Sequence, residues 1–146
     1  MKIIANNKKA RHDYELMDTY EAGLVLVGTE VKSLRLGKCS IKEAFVQIKN
    51  QEAWLLGSTI GLYAHGNRQN HEEQRKRKLL LHKKEIVKLE NEMNTKRLSL
   101  IPTKIYFSKG KVKIEIALGR GKKKYDKRQD DAKKSVEKRL RQGDYT

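Results

Sequence analysis

The sequence predicts a mainly β protein with short helices, in which a small closed β-barrel spans residues 1–121 and a basic tail spans residues 122–146. Three observations support this fold class. Short apolar runs with strand character recur along the chain, one amphipathic helix of useful length interrupts them, and apolar residues become rare after Gly121. A chain of 146 residues is long enough for one domain with a substantial core.

The first predicted elements are a strand and a short helix. Residues 20–28 (YEAGLVLVG) form a continuous apolar run near glycines, which is typical of a strand covered on both faces. In residues 29–37, Val31 and Leu34 lie about one helical turn apart and Gly37 follows. This spacing predicts a short helix that ends at the glycine.

A hairpin and a long connection come next. Residues 45–49 and 53–56 are apolar-rich and flank Asn50-Gln51-Glu52, which predicts a β-hairpin. Residues 61–78 are mostly polar and follow neither the helical nor the strand period, so we expect a long basic loop there.

The strongest local patterns lie in the second half. Residues 83–93 carry apolar residues at i, i+3 and i+7, which predicts an amphipathic helix. Residues 104–107 and 111–118 surround Ser108-Lys109-Gly110 and predict a second hairpin. The strict alternation in 111–118 places Lys113 on a wet, basic face. Many strands with one long helix favour a small barrel of the OB-like kind.

The tail has a different character. Residues 122–146 contain few apolar side chains, so they cannot bury enough area to offset the entropy of ordering, and we expect disorder in the free protein. Val136 and Leu140 are four residues apart, which allows a weak helix on a surface that holds the tail.

Charge points to a polyanionic partner. The chain has 34 Lys and Arg against 18 Asp and Glu, a net charge of +16. Nucleic acid is the leading partner class and an anionic membrane surface the second. Cys39 is the only cysteine and the apolar runs are too short to span a membrane, so we expect a soluble, cytoplasmic protein.

Catalytic and metal-binding patterns are absent from the sequence. The four histidines lack HExxH spacing, and neither GxSxG nor GxxxxGK[ST] occurs. We therefore predict no enzyme activity, no metal and no cofactor. Residues 119–122 (GRGK) suit either a flexible exit from the barrel or a contact with an RNA backbone.

Basic blocks predict RNA binding instead, because each interleaves cations with rings or amides that can stack on bases. The rings are His12, Tyr14, His71 and Tyr125. The cations of the three blocks are Lys8, Lys9 and Arg11; then Arg68, Arg75, Lys76, Arg77, Lys78, Lys83 and Lys84; and finally Arg120, Lys122, Lys123, Lys124, Lys127, Arg128, Lys133, Lys134, Lys138, Arg139 and Arg141.

Five motifs in order give a specific resemblance. They are NKKARHDY at 7–14, YEAG at 20–23, GTEVKSLR at 28–35, RKLLLH at 77–82 and GKKKYDKR at 121–128. The chain resembles the SmpB family of SsrA-binding proteins from about Asn6 to Arg128.

The resemblance implies a non-catalytic adaptor of bacterial trans-translation with an OB-like barrel. Members bind the tRNA-like domain of transfer-messenger RNA (tmRNA, or SsrA RNA) and help deliver it to stalled ribosomes. The implied partners are tmRNA, small-subunit rRNA of the ribosome and, indirectly through charged tmRNA, elongation factor Tu. The protein is expected to be a monomer. Its tail is expected to probe the empty mRNA channel and to become helical on the ribosome.

Site residues follow from the same resemblance, position by position. Matches to tmRNA-binding positions are Asn7, Glu21, Leu80, Lys113, Gly121, Lys122 and Lys123. Matches to family positions that face the decoding centre, or that are needed for accommodation on the ribosome, are His12, Tyr125, Asp126, Lys127 and Arg128. The tail cations expected in the channel are Lys133, Lys134, Lys138, Arg139 and Arg141.

Three alternatives stay open at the level of sequence. Glu21 can accept hydrogen bonds from base amino groups or form a structural salt bridge, and Leu80 can contact RNA or belong to the core. The whole protein can also be a general single-strand-binding OB protein of the cold-shock type, which requires surface aromatics on adjacent strands.

Overall fold

A computed structural model describes residues 1–64 and 70–122 together with Arg128. Among these residues there are nine strands and three helices. The helices are α1 (Lys8–Asp13), α2 (Gly28–Arg35) and α3 (Lys83–Lys96). The strands are β1 (Lys2–Asn6), β2 (Tyr14–Leu24), β3 (Cys39–Ser40), β4 (Phe45–Lys49), β5 (Glu52–Leu56), β6 (Thr59–Ile60), β7 (Arg77–Leu80), β8 (Ser99–Ser108) and β9 (Lys111–Gly121).

Six of the strands close into a ring, which confirms the predicted barrel. The large sheet runs β1-β8-β4-β5-β7-β2-β9, and β9 pairs in turn with β8. Every pairing is antiparallel. Strand β1 extends the edge of β8, and β3 and β6 form a separate two-stranded sheet. Closure removes the open sheet edges that invite aggregation.

The core fills the barrel with alternate residues of each strand. In β9 the inward side chains are fully buried, and Leu89 of α3 packs into the same cluster. The predicted helix at 83–93 is confirmed as α3 and continues to Lys96. The predicted helix at 29–37 is α2, which is followed by Gly37 in the left-handed region at φ +73°.

Both predicted hairpins are confirmed. Strands β4 and β5 pair from Phe45↔Leu56 to Lys49↔Glu52. Asn50 adopts a positive φ in the turn between them, a conformation that asparagine tolerates better than most residues. Strands β8 and β9 pair along their length, although β8 begins at Ser99, before the predicted start.

The prediction of a strand covered on both faces at residues 20–28 is wrong. Strand β2 starts earlier, at Tyr14, and ends at Leu24. Val25 and Val27 are 44% and 47% exposed. The physical reason is that the apolar run leaves the sheet to begin α2, where the carboxylate of Glu30 accepts a hydrogen bond from the Val27 N–H at 2.9 Å.

The loop predicted over residues 61–78 is shorter than expected, because β7 begins at Arg77 and pairs with both β5 and β2. Residues 65–69 lie outside the described part of the chain, as do residues 123–127 and 129–146. The predicted disorder of the tail therefore stays a prediction. No helix in the described part is long and apolar enough to span a membrane.

Candidate nucleic-acid interface

Three sequence-predicted residues from separate strands meet on one outer surface of the barrel. The Cα pairings run Leu80↔Gly23, Gly23↔Lys113 and Lys113↔Tyr106, which makes one row across β7, β2, β9 and β8. Directly paired residues of an antiparallel sheet project to the same side. Glu21 lies two residues before Gly23 and therefore on the same side. We call Glu21, Gly23, Leu80, Tyr106 and Lys113 the outer face.

Glu21 is exposed on this face and is oriented by a tyrosine. The Tyr106 hydroxyl donates a hydrogen bond to the Glu21 carboxylate. Burial, together with the hydrogen bond to Glu21, raises the pKa of Tyr106, so the hydroxyl remains a donor. No lysine or arginine within residues 1–64 and 70–122 forms a salt bridge with Glu21, which favours the acceptor role over the structural one.

Leu80 is a surface residue. Its side chain is 56% exposed, which excludes the core alternative. It covers Gly23, where an added Cβ would lie 3.3 Å from the Leu80 Cβ. A side chain at position 23 would therefore require Leu80 to shift by a few tenths of an ångström. Sequence reasoning missed Gly23 and Tyr106 as parts of the site, because only cross-strand register reveals them.

Hydroxyl groups and lysines lie close to the two carboxylates, Glu21 and Glu115, on this side of the barrel. Glu115 pairs directly with Glu21 across the strands and accepts a hydrogen bond from Thr103 Oγ1 at 2.5 Å. Lys104 Nζ lies 5.8 Å from the centroid of the Tyr106 ring. Lys113 is half-buried. The face thus offers a carboxylate acceptor, an apolar side chain and cations side by side.

A second group of predicted residues lies at the far end of the β2–β9 ribbon. Gly121 pairs with Tyr14, and the Lys122 N–H donates to the Asp13 carbonyl at 2.8 Å. Lys122 Nζ donates to the Arg11 carbonyl at 3.1 Å. His12 Nδ1 lies 3.0 Å from Asp13 Oδ1. We call Arg11, His12, Gly121 and Lys122 the distal end.

The two groups are well separated. Glu21 lies seven positions after Tyr14 along β2, which corresponds to at most about 23 Å at ~3.3 Å per residue. The structure therefore divides the predicted tmRNA-binding set: Glu21, Leu80 and Lys113 are together, whereas Gly121 and Lys122 lie beside His12.

Asn7 is at neither exposed surface. Its side chain is buried, and Nδ2 donates to the carbonyls of Ile41 and Pro102, each at 2.9 Å. Its Oδ1 accepts from the Ala10 N–H at 3.1 Å and so caps the start of α1. The side chain that resemblance assigned to RNA binding thus holds α1, and with it His12, against the barrel.

The second basic block is only partly a surface feature, which corrects the sequence interpretation of Arg77. Arg77 is fully buried and its Nε donates to Glu30 at 2.6 Å. Arg75 also donates to Glu30, at 2.5 Å. Burial opposes ionisation of Glu30, but the hydrogen bonds from Arg75, the Val27 N–H and Arg77 outweigh it and lower its pKa.

Two further residues of the sequence interpretation are structural. His71 is buried, and its ring nitrogens contact the Thr29 hydroxyl and the Ile60 carbonyl, both at 2.9 Å. It therefore does not offer a face for stacking. Burial raises the pKa of the Cys39 thiol to about 11, although Arg77 acts in the opposite direction, so the thiol is protonated at neutral pH.

The remaining predicted residues lie outside the described part of the chain, except for Arg128, which is exposed. They are Lys123, Tyr125, Asp126, Lys127, Lys133, Lys134, Lys138, Arg139 and Arg141. In residues 1–64 and 70–122, His, Cys, Asp and Glu side chains do not gather in a group of three or more that could hold a metal ion.

A small, strongly basic, closed barrel with a mixed polar and apolar outer face belongs to the class of nucleic-acid-binding β-barrels. Comparison with known proteins identifies the family. The family model described as SmpB protein matches residues 4–143. The chain therefore belongs to the SmpB family.

Individual relatives align with this chain over nearly their full length. The SsrA-binding protein of Fervidobacterium nodosum is 54% identical over 143 residues, covering 97% of this chain and 96% of that protein. The SsrA-binding protein of Desulforudis audaxviator is 52% identical, covering 95% of this chain and 91% of its own. A solved chain from "tmRNA-SmpB: a journey to the center of the bacterial ribosome" shows 47% identity and a TM-score of 0.69, covering 90% of this chain and 93% of that chain.

Proposed function

We propose that this protein is the adaptor of trans-translation that binds the tRNA-like domain of tmRNA through the outer face and delivers it to stalled ribosomes. The observation that carries the proposal is the convergence of Glu21, Leu80 and Lys113. These residues come from three strands and are distant in sequence, yet they share one exposed side of the barrel. Family membership favours this function over a general cold-shock role.

The chemistry of the outer face suits a folded RNA with accessible base edges. Lys113 supplies a cation for a backbone phosphate. Glu21, oriented by Tyr106, can accept hydrogen bonds from base N–H groups. Leu80 offers an apolar surface to a ribose or a base, and its position is fixed by contact with Gly23.

In this proposal the distal end serves the ribosome through His12, whereas Gly121 and Lys122 keep the tmRNA-binding role that the family resemblance implies. His12, together with Tyr125 and Asp126-Lys127-Arg128, faces small-subunit rRNA, and Asn7 acts indirectly by anchoring α1. A separation of up to about 23 Å between the two groups allows one barrel to hold tmRNA on one side and approach rRNA on the other. The cations from Lys133 to Arg141 then follow the empty mRNA channel as a helix.

The protein acts as a monomer without catalysis, in the cytoplasm where ribosomes are found. Elongation factor Tu is an indirect partner, since it binds the charged tmRNA rather than the barrel. Lys123 directly follows Lys122 in the chain and is assigned to tmRNA, as its match to the family implies.

Two tail variants test this division of roles. Truncation after Arg128, and separately the replacement of Asp126-Lys127-Arg128 by alanines, should abolish peptide tagging on stalled ribosomes. Both should keep affinity for the tRNA-like domain within a few-fold, since the outer face is intact and only long-range attraction is lost. Lys113→Glu is the converse control and should lose RNA affinity with the tail unchanged.

Full tagging by the truncated protein would remove the channel role of the tail. A collapse of RNA affinity in the truncated protein would instead move the tmRNA site from the outer face to the tail.

A further inference from the structure

We propose a second RNA-contacting surface, on which the outward side of β4, β5 and β7 stacks unpaired nucleotides that adjoin the RNA held by the outer face. This inference extends the proposed function and depends on it. We call the surface the Trp54 platform, after its central residue. Its other members are Phe45, Gln47, Lys76 and Lys78.

Strand alternation places the indole on the outside of the barrel. Ala53 and Leu55, the neighbours of Trp54 in β5, are buried in the core, so Trp54 projects the other way. Its cross-strand partners are Gln47 of β4 and Lys78 of β7. The indole is therefore partly exposed to solvent instead of packed inside the barrel.

A second ring accompanies the indole. Phe45 is 46% exposed and pairs with Leu56, which places it diagonally across from Trp54. Diagonal neighbours on adjacent strands have Cα atoms about 7–8 Å apart. Two aromatic side chains at this spacing are within reach of neighbouring nucleotides of an extended strand. Surface aromatics on adjacent strands are the arrangement that single-strand-binding barrels use.

The charges around the rings favour an RNA occupant. Lys76 Nζ lies over the Trp54 ring, 5.0 Å from its centroid, so this exposed and flexible side chain has to move aside, toward a phosphate, when a base stacks on the indole. Lys76 forms no salt bridge with a described carboxylate. Lys78 Nζ lies 3.4 Å from Glu52 Oε2. Glu52 is the one acidic residue within β4, β5 and β7. Lys49 adds a third cation beside Glu52. Cations next to exposed rings match phosphates next to bases.

The platform is continuous with the outer face. Lys78 and Leu80 are two residues apart on β7 and share its outward side, which is a distance of about 6.6 Å at ~3.3 Å per residue. An RNA segment that leaves Leu80 therefore reaches Lys78 and Trp54 within a few nucleotides. We thus assign the platform to unpaired RNA that adjoins the tRNA-like domain.

Trp54 is the only tryptophan of the chain, so its fluorescence reports directly on stacking. The experiment titrates the full-length protein with a decamer of uridine, and separately with inorganic polyphosphate of equal charge. We expect the decamer to quench Trp54 emission and polyphosphate to leave it nearly unchanged, because only a base can stack on the indole. Binding of the decamer without quenching, or equal quenching by polyphosphate, would overturn the proposal.

Variants separate stacking from charge. Trp54→Leu should weaken decamer binding, measured by fluorescence anisotropy of a labelled decamer, by about tenfold, the loss expected from one stacked base. Lys76→Gln should weaken it several-fold, whereas Lys88→Gln, on the exposed side of α3, should leave it unchanged. Equal losses in the two lysine variants would show nonspecific attraction and contradict the platform.

Affinity for the isolated tRNA-like domain keeps this test distinct from the proposed function. Wild-type protein and Trp54→Leu should bind that domain within about threefold of one another. If wild type binds the domain but the decamer does not quench Trp54, only the platform fails. If wild type does not bind the domain, the proposed function fails.

Discussion

Replacing Arg77 should destabilise the barrel rather than weaken RNA binding. Arg77 uses all five of its N–H donors inside the protein. Nε donates to Glu30, Nη1 to the carbonyl and the hydroxyl of Ser58, and Nη2 to the carbonyls of Glu72 and Glu73, at distances from 2.6 to 3.2 Å. The side chain thus ties α2 to β7 and to the segment that precedes it.

The expected cost follows from what Arg77→Gln leaves behind. Glu30 stays fully buried with only Arg75 as a charged partner, and removing one member of a buried pair typically costs about 3–5 kcal/mol. Chemical denaturation in urea measures this loss. With a slope of about 2 kcal/mol/M, the midpoint should fall by about 1.5–2.5 M.

Lys78→Gln is the matched control, since it changes a neighbouring cation whose side chain is 42% exposed. It should change the free energy of unfolding by less than about 0.5 kcal/mol. At a temperature where both variants are folded, Arg77→Gln should bind the tRNA-like domain like wild type. A loss of RNA affinity in folded Arg77→Gln, with stability unchanged, would refute the structural role and restore the interpretation of Arg77 as an RNA contact.

The same ion pair gives stability a dependence on pH. Because the folded protein holds the pKa of Glu30 below the ordinary value of 4.5, the contribution of this carboxylate is fully present above pH 4.5. It is lost as pH falls through the lower folded value. Urea midpoints measured from pH 6 to pH 3 should therefore fall less steeply in Glu30→Gln, which has no carboxylate to protonate.

Two other substitutions and one thiol-labelling experiment test separate features. Lys113→Glu should weaken binding to the tRNA-like domain. It should also make the fall of log K with log salt less steep by about 0.7–0.9, the value for one phosphate contact. Lys111→Glu, on the same side of β9, should leave both the affinity and the steepness unchanged. Tyr106→Phe should weaken the same binding several-fold at an unfolding cost of only about 0.5–1.5 kcal/mol, because the exposed Glu21 loses its orienting donor but is hydrated instead; unchanged affinity would show that orientation of Glu21 is unimportant. Cys39 should react with a thiol reagent far more slowly at pH 7.5 than after denaturation, and equal rates would contradict its burial.

Local patterns were enough to predict much of the barrel. Strict alternation over residues 111–118 placed Lys113 on the outward side of its strand, and the hairpin around Asn50 followed from two apolar runs and a polar turn. Helix α3 followed from its apolar spacing. These features depend on neighbours in sequence, so the chain itself contains the information.

Long-range contacts were not predictable in this way. Arg77 stands in a run of four cations, and its partner Glu30 is 47 residues away, so no local pattern shows that this one cation turns inward. The apolar residues Val25 and Val27 suggested a continuing strand, but the hydrogen bond from Val27 to Glu30 starts a helix instead. Asn7 could have been recognised as a helix cap from its position before a short helix.

The central claim is that the outer face recognises a folded tRNA-like RNA rather than any polyanion. An electrophoretic mobility shift at physiological salt tests it directly, by comparing the tRNA-like domain of tmRNA with an unstructured RNA of equal length. Wild-type protein should prefer the tRNA-like domain by more than about tenfold, and Glu21→Ala should reduce this preference without abolishing general RNA binding. Equal affinity of wild-type protein for the two RNAs would contradict the account.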